Sequence, residues 1–384
     1  MHLALTILLG AIAAAWIAGV TAIVRGTLSM PSIYDVEPLK AAECPSVSVL
    51  FAARDEAEKL PGAVETMLGL DYPRFEVVAV DDRSTDATEE ILVRAETKDA
   101  RLRHVRVEEL PAGWLGKPHA LERAYENSTG EWLVFTDADV HFEPDLLRRA
   151  VALAEREGWD HMPLLGRPKM FTVGEKMAMT FFGVSFMVGV MPWKASDPDS
   201  GMYAGVGAFQ MIRRRAYEGS GTHRRLAMEV IDDVKLGKMV KEAGFRSGVA
   251  RAENAVSVHW HAGIRNMVRG TEKNFFAASG FSLGRTAFHI LGLLMMCVLP
   301  WVALAVTHGW ARGFAAVCVA LAIGLQAGVA VDFGVSPLFA LSHPLGAILF
   351  SWMLGRSTAV TLRQGGIRWR GTFYPLEELK RGAV

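Results

Sequence analysis

Two acidic residues one position apart, Asp137 and Asp139, follow a short apolar run at 131–135. The run has the length and composition of a buried strand. Ligands of α/β sheets bind beyond the carboxyl ends of strands, so both carboxylates are expected at the mouth of a crevice. Two carboxylates this close repel each other unless a cation lies between them. Mg²⁺ prefers such oxygen ligands together with substrate phosphates. The alternative is an acidic turn that caps the next helix.

A second acidic pair, Asp81-Asp82, closes another apolar run. The pattern predicts four buried strands here, at 46–53, 75–80, 102–107 and 131–135. Residues with helical spacing separate them, as at 56–70. Strands that alternate with helices predict an α/β fold with a doubly wound, mostly parallel sheet. Both acidic pairs then lie at carboxyl ends of strands, which favours a functional site over a cap.

Four ordered motifs resemble those of the family 2 glycosyltransferases. They are Val-Leu-Phe-Ala-Ala-Arg-Asp-Glu at 49–56, Val-Ala-Val-Asp-Asp-Arg-Ser-Thr-Asp at 78–86, Thr-Asp-Ala-Asp at 136–139 and Glu-Val-Ile-Asp-Asp-Val-Lys-Leu-Gly at 229–237. Apolar stretches on both sides make the chain similar to the membrane-bound ceramide glucosyltransferase-like and hopanoid-associated members. The resemblance implies a GT-A-like fold, a nucleotide-sugar donor, a divalent metal and inversion at the anomeric carbon.

The resemblance also implies roles for individual residues on the donor side. Asp139 is the expected ligand of Mg²⁺ or Mn²⁺, and Asp137 is expected to support the metal or the donor. Donor contacts are expected from Arg54, Glu56 and Asp82, with a UDP-sugar as the expected donor. Asp81, the residue before the turn, is expected to point back into the fold.

The acceptor hydroxyl must lose a proton as it attacks the sugar, which requires a carboxylate base. Asp233 matches the base position of the family, and Asp232 is the second choice. The alternative is that the pair only caps the helix that follows. Lys117, in a Gly-Lys pair before a helix, is expected to meet the donor phosphates. The small residues at 205–209 resemble the acceptor-side loop of the family.

Basic residues after the proposed base are candidates for the donor diphosphate. We expect Arg265 and Arg269 in this role, although the tryptophan of the family's Gln/Arg-x-x-Arg-Trp motif is missing here. A second stretch at 363–369, which ends in Arg-Trp, has different spacing. His259 and His261 alternate as on one strand face, and a metal site there is a minor alternative.

The composition gives no indication of nucleic-acid binding, because 41 basic residues balance 41 acidic ones. Hydrophobic residues make up 51% of the chain, which is high for a soluble enzyme. The three cysteines have no spacing typical of a disulfide or a metal site. The apolar excess is concentrated in runs at 3–24, 287–307, 313–331 and 336–354. Each is long enough to cross a bilayer, which takes about 20 residues.

These runs predict four regions. An N-terminal anchor at 1–25 precedes a GT-A domain at 43–280, transmembrane helices follow at 286–355, and a basic tail occupies 356–384. The basic residues after the first run place the domain in the cytoplasm by the positive-inside rule. We therefore expect a multi-pass protein of the cell inner membrane. Three C-terminal spans would place the tail outside, whereas its arginines favour the inside, so the sequence leaves the side of the tail open.

A membrane lipid is the expected acceptor. The apolar segment 173–193 is long enough to span a bilayer, but a crossing there would separate Asp139 from Asp233. It is therefore interpreted as an interfacial helix, with a buried core helix as the alternative. The segment 263–278 sets apolar residues against Arg265, Arg269 and Lys273, a pattern suited to lipid headgroups.

Two other functions compete with this interpretation. A processive polysaccharide synthase is the alternative among enzymes, although four spans are few for a translocation channel. A non-catalytic, cation-binding membrane transporter or scaffold is the alternative from another class. Transporters place ionisable groups within their spans, whereas the acidic clusters of this chain lie outside them.

Overall fold

The computed structural model describes residues 2–384 and divides into two compact units. The sheet unit comprises 30–169, 192–259 and 377–384. The helical unit comprises the N-terminal helix, 170–191 and 260–376. Each proposed chemical role except those of Arg265 and Arg269 therefore falls on a residue of the sheet unit.

The first four strands agree closely with the four predicted from the sequence, and the structure adds six more. The strands are β1 Val47–Ala53, β2 Phe75–Asp82, β3 Leu102–Val107, β4 Trp132–Asp137, β5 Val140–Phe142, β6 His161–Pro168, β7 Gln210–Arg213 and β8 Ala250–Val258, with β9 Gly366–Trp369 and β10 Thr372–Pro375 as a separate hairpin. The acids at 81, 82 and 137 belong to the last residues of their strands, so their strands extend slightly further than predicted.

The eight-stranded sheet has the order β3-β2-β1-β4-β7-β6-β8-β5. Strands β3, β2, β1 and β4 run parallel, as predicted, and β7 is antiparallel to both β4 and β6. Alternate residues of β1 enter different cores, with Val49 and Phe51 on one face and Leu50 on the other. A sheet buried on both faces explains why its strands read as continuous apolar runs. The predicted α/β, doubly wound fold is confirmed.

Helices connect the strands and make up most of the helical unit. They are α1 His2–Ser29, α2 Leu60–Leu68, α3 Thr88–Lys98, α4 Gly116–Glu126, α5 Leu146–Glu157, α6 Val173–Val190, α7 Arg214–Ser220, α8 Asp232–Glu242, α9 Gly263–Thr271, α10 Asn274–Ala278, α11 Leu283–Leu293, α12 Leu299–Val306, α13 Gly309–Asp332, α14 His343–Gln364 and α15 Leu376–Arg381. A short π-helix, Leu294–Val298, joins α11 to α12.

Within residues 2–384, five helical stretches are long and apolar enough to cross a membrane: His2–Ser29, Val173–Lys194, Leu283–Val306, Gly309–Asp332 and Pro337–Gln364. Many of their large apolar side chains are exposed, such as Leu3, Phe288 and Trp310. Exposed apolar surface of this extent marks a site for membrane or protein contact. The second stretch is the segment interpreted above as interfacial.

Polar side chains link three helices inside the helical unit. Gln326 on α13 donates from Nε2 to Thr180 Oγ1 on α6 at 3.1 Å. Its Oε1 accepts from His343 Nδ1, at the start of α14, at 2.7 Å. All three residues are fully buried. Hydrogen bonds between helices in an apolar setting hold the helices in register.

Candidate active site

Three parallel strand ends bring the acidic motifs to one edge of the sheet. In the pairing of β1 with its neighbours, Ala53 lies opposite Asp81 and Ala52 lies opposite Asp137. The loops after β1 and β2 are tied together, because Asp55 Oδ1 accepts from the backbone N–H of Thr85 at 2.8 Å. The sheet thus brings three of the predicted motifs side by side.

Asp82 and Arg54, both predicted to contact the donor, lie close together at this edge. Nη1 of Arg54 is 3.9 Å from Oδ2 of Asp82, while Nε of Arg83 donates to Oδ1 at 2.8 Å. Asp82 is almost completely buried. Nε of Arg54 is also buried and has no hydrogen-bond partner among residues 2–384. A buried donor without a partner is costly, so Arg54 Nε is well suited to a polar ligand.

Asp81 and Glu56 are two other residues of these loops. Asp81 is fully buried and accepts from the backbone N–H of Ser84 at 3.3 Å and from Nη1 of Arg106 at 3.2 Å. It thus points into the fold as expected. Glu56 is half-buried, and its backbone N–H donates to Thr88 Oγ1 at 2.9 Å.

Lys117 lies among the acids of the site. Its Nζ donates to Oδ1 of Asp137 at 2.7 Å and lies 3.8 Å from Oδ2 of Asp232. Burial by itself lowers the pKa of the ammonium, but the charges of Asp137, Asp232 and Asp233 outweigh it and raise the pKa of Lys117. Lys117 is therefore a permanent positive charge between β4 and α8.

Asp139, the expected metal ligand, is paired with a lysine that the sequence reasoning did not select. Nζ of Lys59 donates to Oδ2 of Asp139 at 2.6 Å. The two residues are 80 positions apart in the chain, and Lys59 immediately precedes α2. The only signal in the sequence is the general need of two adjacent carboxylates for a counter-charge.

Asp233, the expected base, faces the same space as Asp137. A Cβ atom placed on Gly207 would lie 2.9 Å from Oδ2 of Asp137 and 3.2 Å from Oδ2 of Asp233. Glycine therefore leaves open the point at which both carboxylates converge. Gly205 packs even more tightly against the start of α8, because a Cβ atom placed on Gly205 would lie 1.8 Å from the carbonyl oxygen of Asp233.

Asp232 and Asp233 form the start of α8, where Ile231 occupies the cap position without a capping hydrogen bond from its side chain. Oδ1 of Asp233 accepts from the backbone N–H of Val234 at 2.9 Å, so a helix-start role accompanies any chemical one. Both acids lie within the first turn, where negative charge is favoured by the helix dipole. Asp232 is buried, and Asp233 is half-buried.

A narrow cavity joins these groups. Its polar lining consists of Lys117, Thr136, Gln210, His223, Asp232 and Asp233. Apolar side chains, including Phe135 and Leu236, complete the wall. The cavity has a volume of about 10 Å³, which is room for one water molecule or one hydroxyl group of a ligand.

The carboxylates at the end of β4 suit a divalent metal only in combination with a ligand. No group of three or more His, Cys, Asp or Glu residues within 2–384 is arranged to hold a metal ion. Mg²⁺, however, commonly takes one or two carboxylates and completes its shell with water and substrate phosphates. Asp137 offers such an oxygen donor beside the opening left by Gly207, and Asp139 follows two positions later with its Oδ2 paired with Lys59. The donor set therefore fits a metal that binds together with a diphosphate.

The remaining predicted residues follow β8 in the chain. Arg265 and Arg269 are exposed on α9 in the helical unit, and neither forms an ion pair with another described residue. The strand face proposed for His259 and His261 is wrong, because β8 ends at Val258 before either histidine.

Comparison with known proteins identifies a glycosyltransferase domain in the chain. Residues 48–169 match the family model "Glycosyl transferase family 2". The 4,4'-diaponeurosporenoate glycosyltransferase of Staphylococcus haemolyticus is 22% identical over 265 residues, which cover 68% of this chain and 69% of that protein. A beta-monoglucosyldiacylglycerol synthase of Nostoc is 33% identical over 115 residues, but these cover 29% of this chain and only 24% of that enzyme.

One solved structure resembles nearly the whole chain. It is the mannosyltransferase PcManGT from Pyrobaculum calidifontis, in complex with GDP-Man and Mn²⁺. The TM-score is 0.54 at 21% identity, and the alignment covers 93% of this chain and 98% of that one. At this identity the similarity shows a shared fold, which is GT-A-like.

Proposed function

We propose that this chain, a glycosyltransferase with a family 2 domain at residues 48–169, transfers a sugar from a nucleotide-diphosphate sugar to a hydroxyl group of a membrane lipid. We expect inversion at the anomeric carbon and a UDP-sugar as the donor. The observation that carries the proposal is the convergence of Asp137 and Asp233 on the opening at Gly207. One carboxylate lies at the expected donor position and the other at the expected base position.

Asp233 is the base in this proposal. The acceptor oxygen attacks the anomeric carbon, and its proton passes to the carboxylate of Asp233. The bond between the anomeric carbon and the diphosphate oxygen breaks, and the nucleoside diphosphate leaves with the electron pair. A single displacement of this kind inverts the configuration. Asp233 is suited to the role because it is half-buried at the cavity and is not paired with Lys117, unlike Asp137.

The donor side is held by residues at the ends of β1, β2 and β4. Arg54 and Asp82 would bind the nucleoside, with Arg54 Nε as an available donor. Glu56 follows in the same loop. Asp139 and Asp137 would hold Mg²⁺ or Mn²⁺. A divalent ion at this position stabilises the negative charge that gathers on the diphosphate.

We propose a second role for Lys117 beside the expected contact with the donor. Because its ammonium is paired with Asp137, it balances the acids around the transferred sugar. Direct contact with the donor phosphates stays a prediction. Arg265 and Arg269 remain the candidates for that contact.

A lipid acceptor is supported by the apolar helices and by the path of the chain. A single crossing by α6 would place β6 and β7 on opposite sides of a bilayer. These strands are hydrogen-bonded neighbours, with His161 opposite Ile212. The segment therefore enters and leaves the membrane region on one side, which suits the interfacial interpretation. The name of the Nostoc relative likewise describes synthesis of a glycolipid.

The end of the chain bears on membrane topology. Residues 377–384 belong to the sheet unit. There the backbone N–H of Val384 donates to Oε2 of Glu229 at 3.1 Å. The chain between 260 and 376 must then cross the membrane an even number of times. We therefore propose that one of the three apolar stretches after residue 282 does not cross completely, and that the sheet unit and the tail both lie in the cytoplasm at the inner membrane.

Transfer into a lipid fraction tests the proposal. The full-length protein in detergent is supplied with radiolabelled UDP-glucose or GDP-mannose, with Mg²⁺ or Mn²⁺, and with either a membrane lipid extract or a water-soluble sugar. We expect label in the lipid fraction, and none with Asp139→Asn. Efficient transfer to the soluble sugar with none into lipid would contradict the lipid acceptor. Elongating products would instead support a processive polysaccharide synthase.

A further inference from the structure

His223 lies in the cavity described above but has no role in the proposed chemistry. It belongs to the segment between α7 and α8 and is only 1% exposed. It lines the cavity together with Lys117, Asp232 and Asp233. The aromatic ring of Phe135, two positions before Asp137, packs on its imidazole with the ring centroids 4.8 Å apart. The histidine is therefore a fixed part of the wall.

A buried hydrogen-bond chain fixes one side of the imidazole. Nδ1 of His223 lies 2.7 Å from Oη of Tyr217, and the backbone N–H of His223 donates to the same oxygen at 2.9 Å. The phenol O–H donates in turn to Oε2 of the buried Glu122 at 3.2 Å. Since the single phenol proton is directed to the carboxylate, we assign the other shared proton to Nδ1 of the histidine. Its Nε2 then carries a lone pair.

The protonation states agree with this assignment. Burial, reinforced by the nearby charge of Lys117, lowers the pKa of His223 to about 3. Burial and the adjacent Glu122 carboxylate raise the pKa of Tyr217. At neutral pH the histidine is therefore uncharged and the tyrosine keeps its proton.

Nε2 of His223 has no hydrogen-bond partner among residues 2–384. The hydrogen bonds of His223 are those of its Nδ1 and its backbone N–H with Tyr217. Because His223 lines the cavity, a ligand that brings a hydrogen-bond donor there can pair with this nitrogen.

We propose that His223 is a specificity-determining residue, whose Nε2 accepts a hydrogen bond from one hydroxyl group of the transferred sugar. The inference rests on the proposed function and names one determinant of its donor. A sugar hydroxyl has a proton to give, whereas a diphosphate at neutral pH offers only acceptor oxygens and would be repelled by the lone pair.

Calorimetry on the full-length protein in detergent with Mn²⁺ tests this inference. UDP-glucose is compared with UDP, and GDP-mannose with GDP, in the wild type and in His223→Phe. Phenylalanine keeps the aromatic contact with Phe135 but lacks the acceptor. We expect the affinity for the nucleotide sugar to fall about tenfold and the affinity for the free nucleotide to stay unchanged. An amide in His223→Gln should restore part of the loss.

Deoxygenated donors identify the hydroxyl group. Among singly deoxygenated analogues of the sugar that binds, one should lose affinity for the wild type and lose nothing further for His223→Phe. This non-additivity is the signature of a direct contact. Tyr72→Phe is the control, because its hydroxyl donates to the carbonyl of Pro45 in a buried hydrogen bond outside the cavity. It should leave both affinities unchanged.

Other results would overturn the inference. Equal loss of sugar-nucleotide and nucleotide affinity in His223→Phe would assign the histidine a purely structural role. Additive effects for every deoxygenated analogue would exclude a hydrogen bond from His223 to the sugar. Failure of the wild type to bind any of the nucleotide sugars would overturn the proposed donor class, and this inference with it.

Discussion

Nζ of Lys117 lies 2.7 Å from Oδ1 of Asp137, so the first turn of α4 is ion-paired with the end of β4. Asp232, in the first turn of α8, lies 3.8 Å from the same ammonium. A single lysine thereby holds together a strand and two helices that carry the proposed site. The charge balance of the site depends on it.

Replacing this lysine should therefore destabilise the protein as well as inactivate it. Lys117→Met removes a positive charge that lies beside Asp137 and the buried Asp232, which should lower the free energy of unfolding by about 3 kcal/mol. Thermal unfolding in detergent measures the change. Lys98→Met, an exposed lysine of α3, is the matched control and should change little.

A double variant separates charge balance from lost packing. Lys117→Met combined with Asp137→Asn removes one of the excess negative charges. It should unfold at a higher temperature than Lys117→Met alone, because effects of residues in contact are not additive. A double variant that is destabilised by the sum of both single effects would show that the pair is not coupled.

Asp139→Asn should abolish metal-dependent donor binding and leave the fold intact. An amide is a far weaker ligand for a hard cation than a carboxylate, and we expect transfer to fall about 100-fold or more. Titration of the donor with and without Mn²⁺ measures the loss. Asp71→Asn is the control, because Asp71 forms a surface ion pair with Arg148. Unchanged metal dependence in Asp139→Asn would contradict its role as a ligand.

Lys59 should compete with the metal for Asp139. In Lys59→Met the carboxylate has no protein cation to displace, so the Mn²⁺ concentration needed for half-maximal donor binding should fall about two- to fivefold. This range corresponds to a partly exposed ion pair. A higher Mn²⁺ requirement would show instead that Lys59 helps to bind the donor.

Acid should destabilise the protein through its buried histidines. The folded pKa of His223, about 3, lies below the ordinary value of 6.5, so the unfolded state binds more protons between these two values. The contribution of neutral His223 to the free energy of unfolding is thus complete above pH 6.5, and it falls as the pH is lowered toward 3. The loss is about 2 kcal/mol at pH 5. His161, whose pKa burial lowers to about 4, acts in the same direction.

His223→Phe should remove its share of this acid sensitivity. The difference between the melting temperatures at pH 7.5 and pH 5 should shrink by several degrees relative to the wild type. Tyr72→Phe also loses a buried hydrogen bond, but it should melt lower by the same amount at both pH values. An unchanged difference in His223→Phe would mean that the histidine is not kept neutral by burial.

Much of the sheet could be predicted from local pattern alone. The parallel strands β1 to β4 are short apolar runs bounded by polar turns, so their periodicity specifies them. Since the carboxyl ends of parallel strands meet at one edge, the grouping of Asp82 and Asp137 followed from the same pattern. That Asp233 acts at the same site as Asp137 was predicted from a family resemblance. The intervening chain of almost 100 residues has no local signal for this proximity.

The partners of the site residues could not be predicted. Lys59 and Asp139 are 80 positions apart, and Glu122 and Tyr217 are 95 apart. Such contacts depend on how helices pack on the sheet, which spacing along the chain does not encode. His223 was missed for the same reason, since a lone histidine acquires its meaning only from the tyrosine and the cavity around it. The prediction of a strand at His259 and His261 is wrong because alternation over three residues is too short to define a strand.

The most direct test of the account compares donor binding with sugar transfer in Asp233→Asn. Asparagine preserves the shape of the side chain but cannot accept the proton of the acceptor hydroxyl. We predict wild-type affinity for the nucleotide sugar in the presence of Mn²⁺, and transfer reduced about 10²- to 10⁴-fold. Transfer within a few-fold of the wild type, with donor affinity unchanged, would show that Asp233 is not the base.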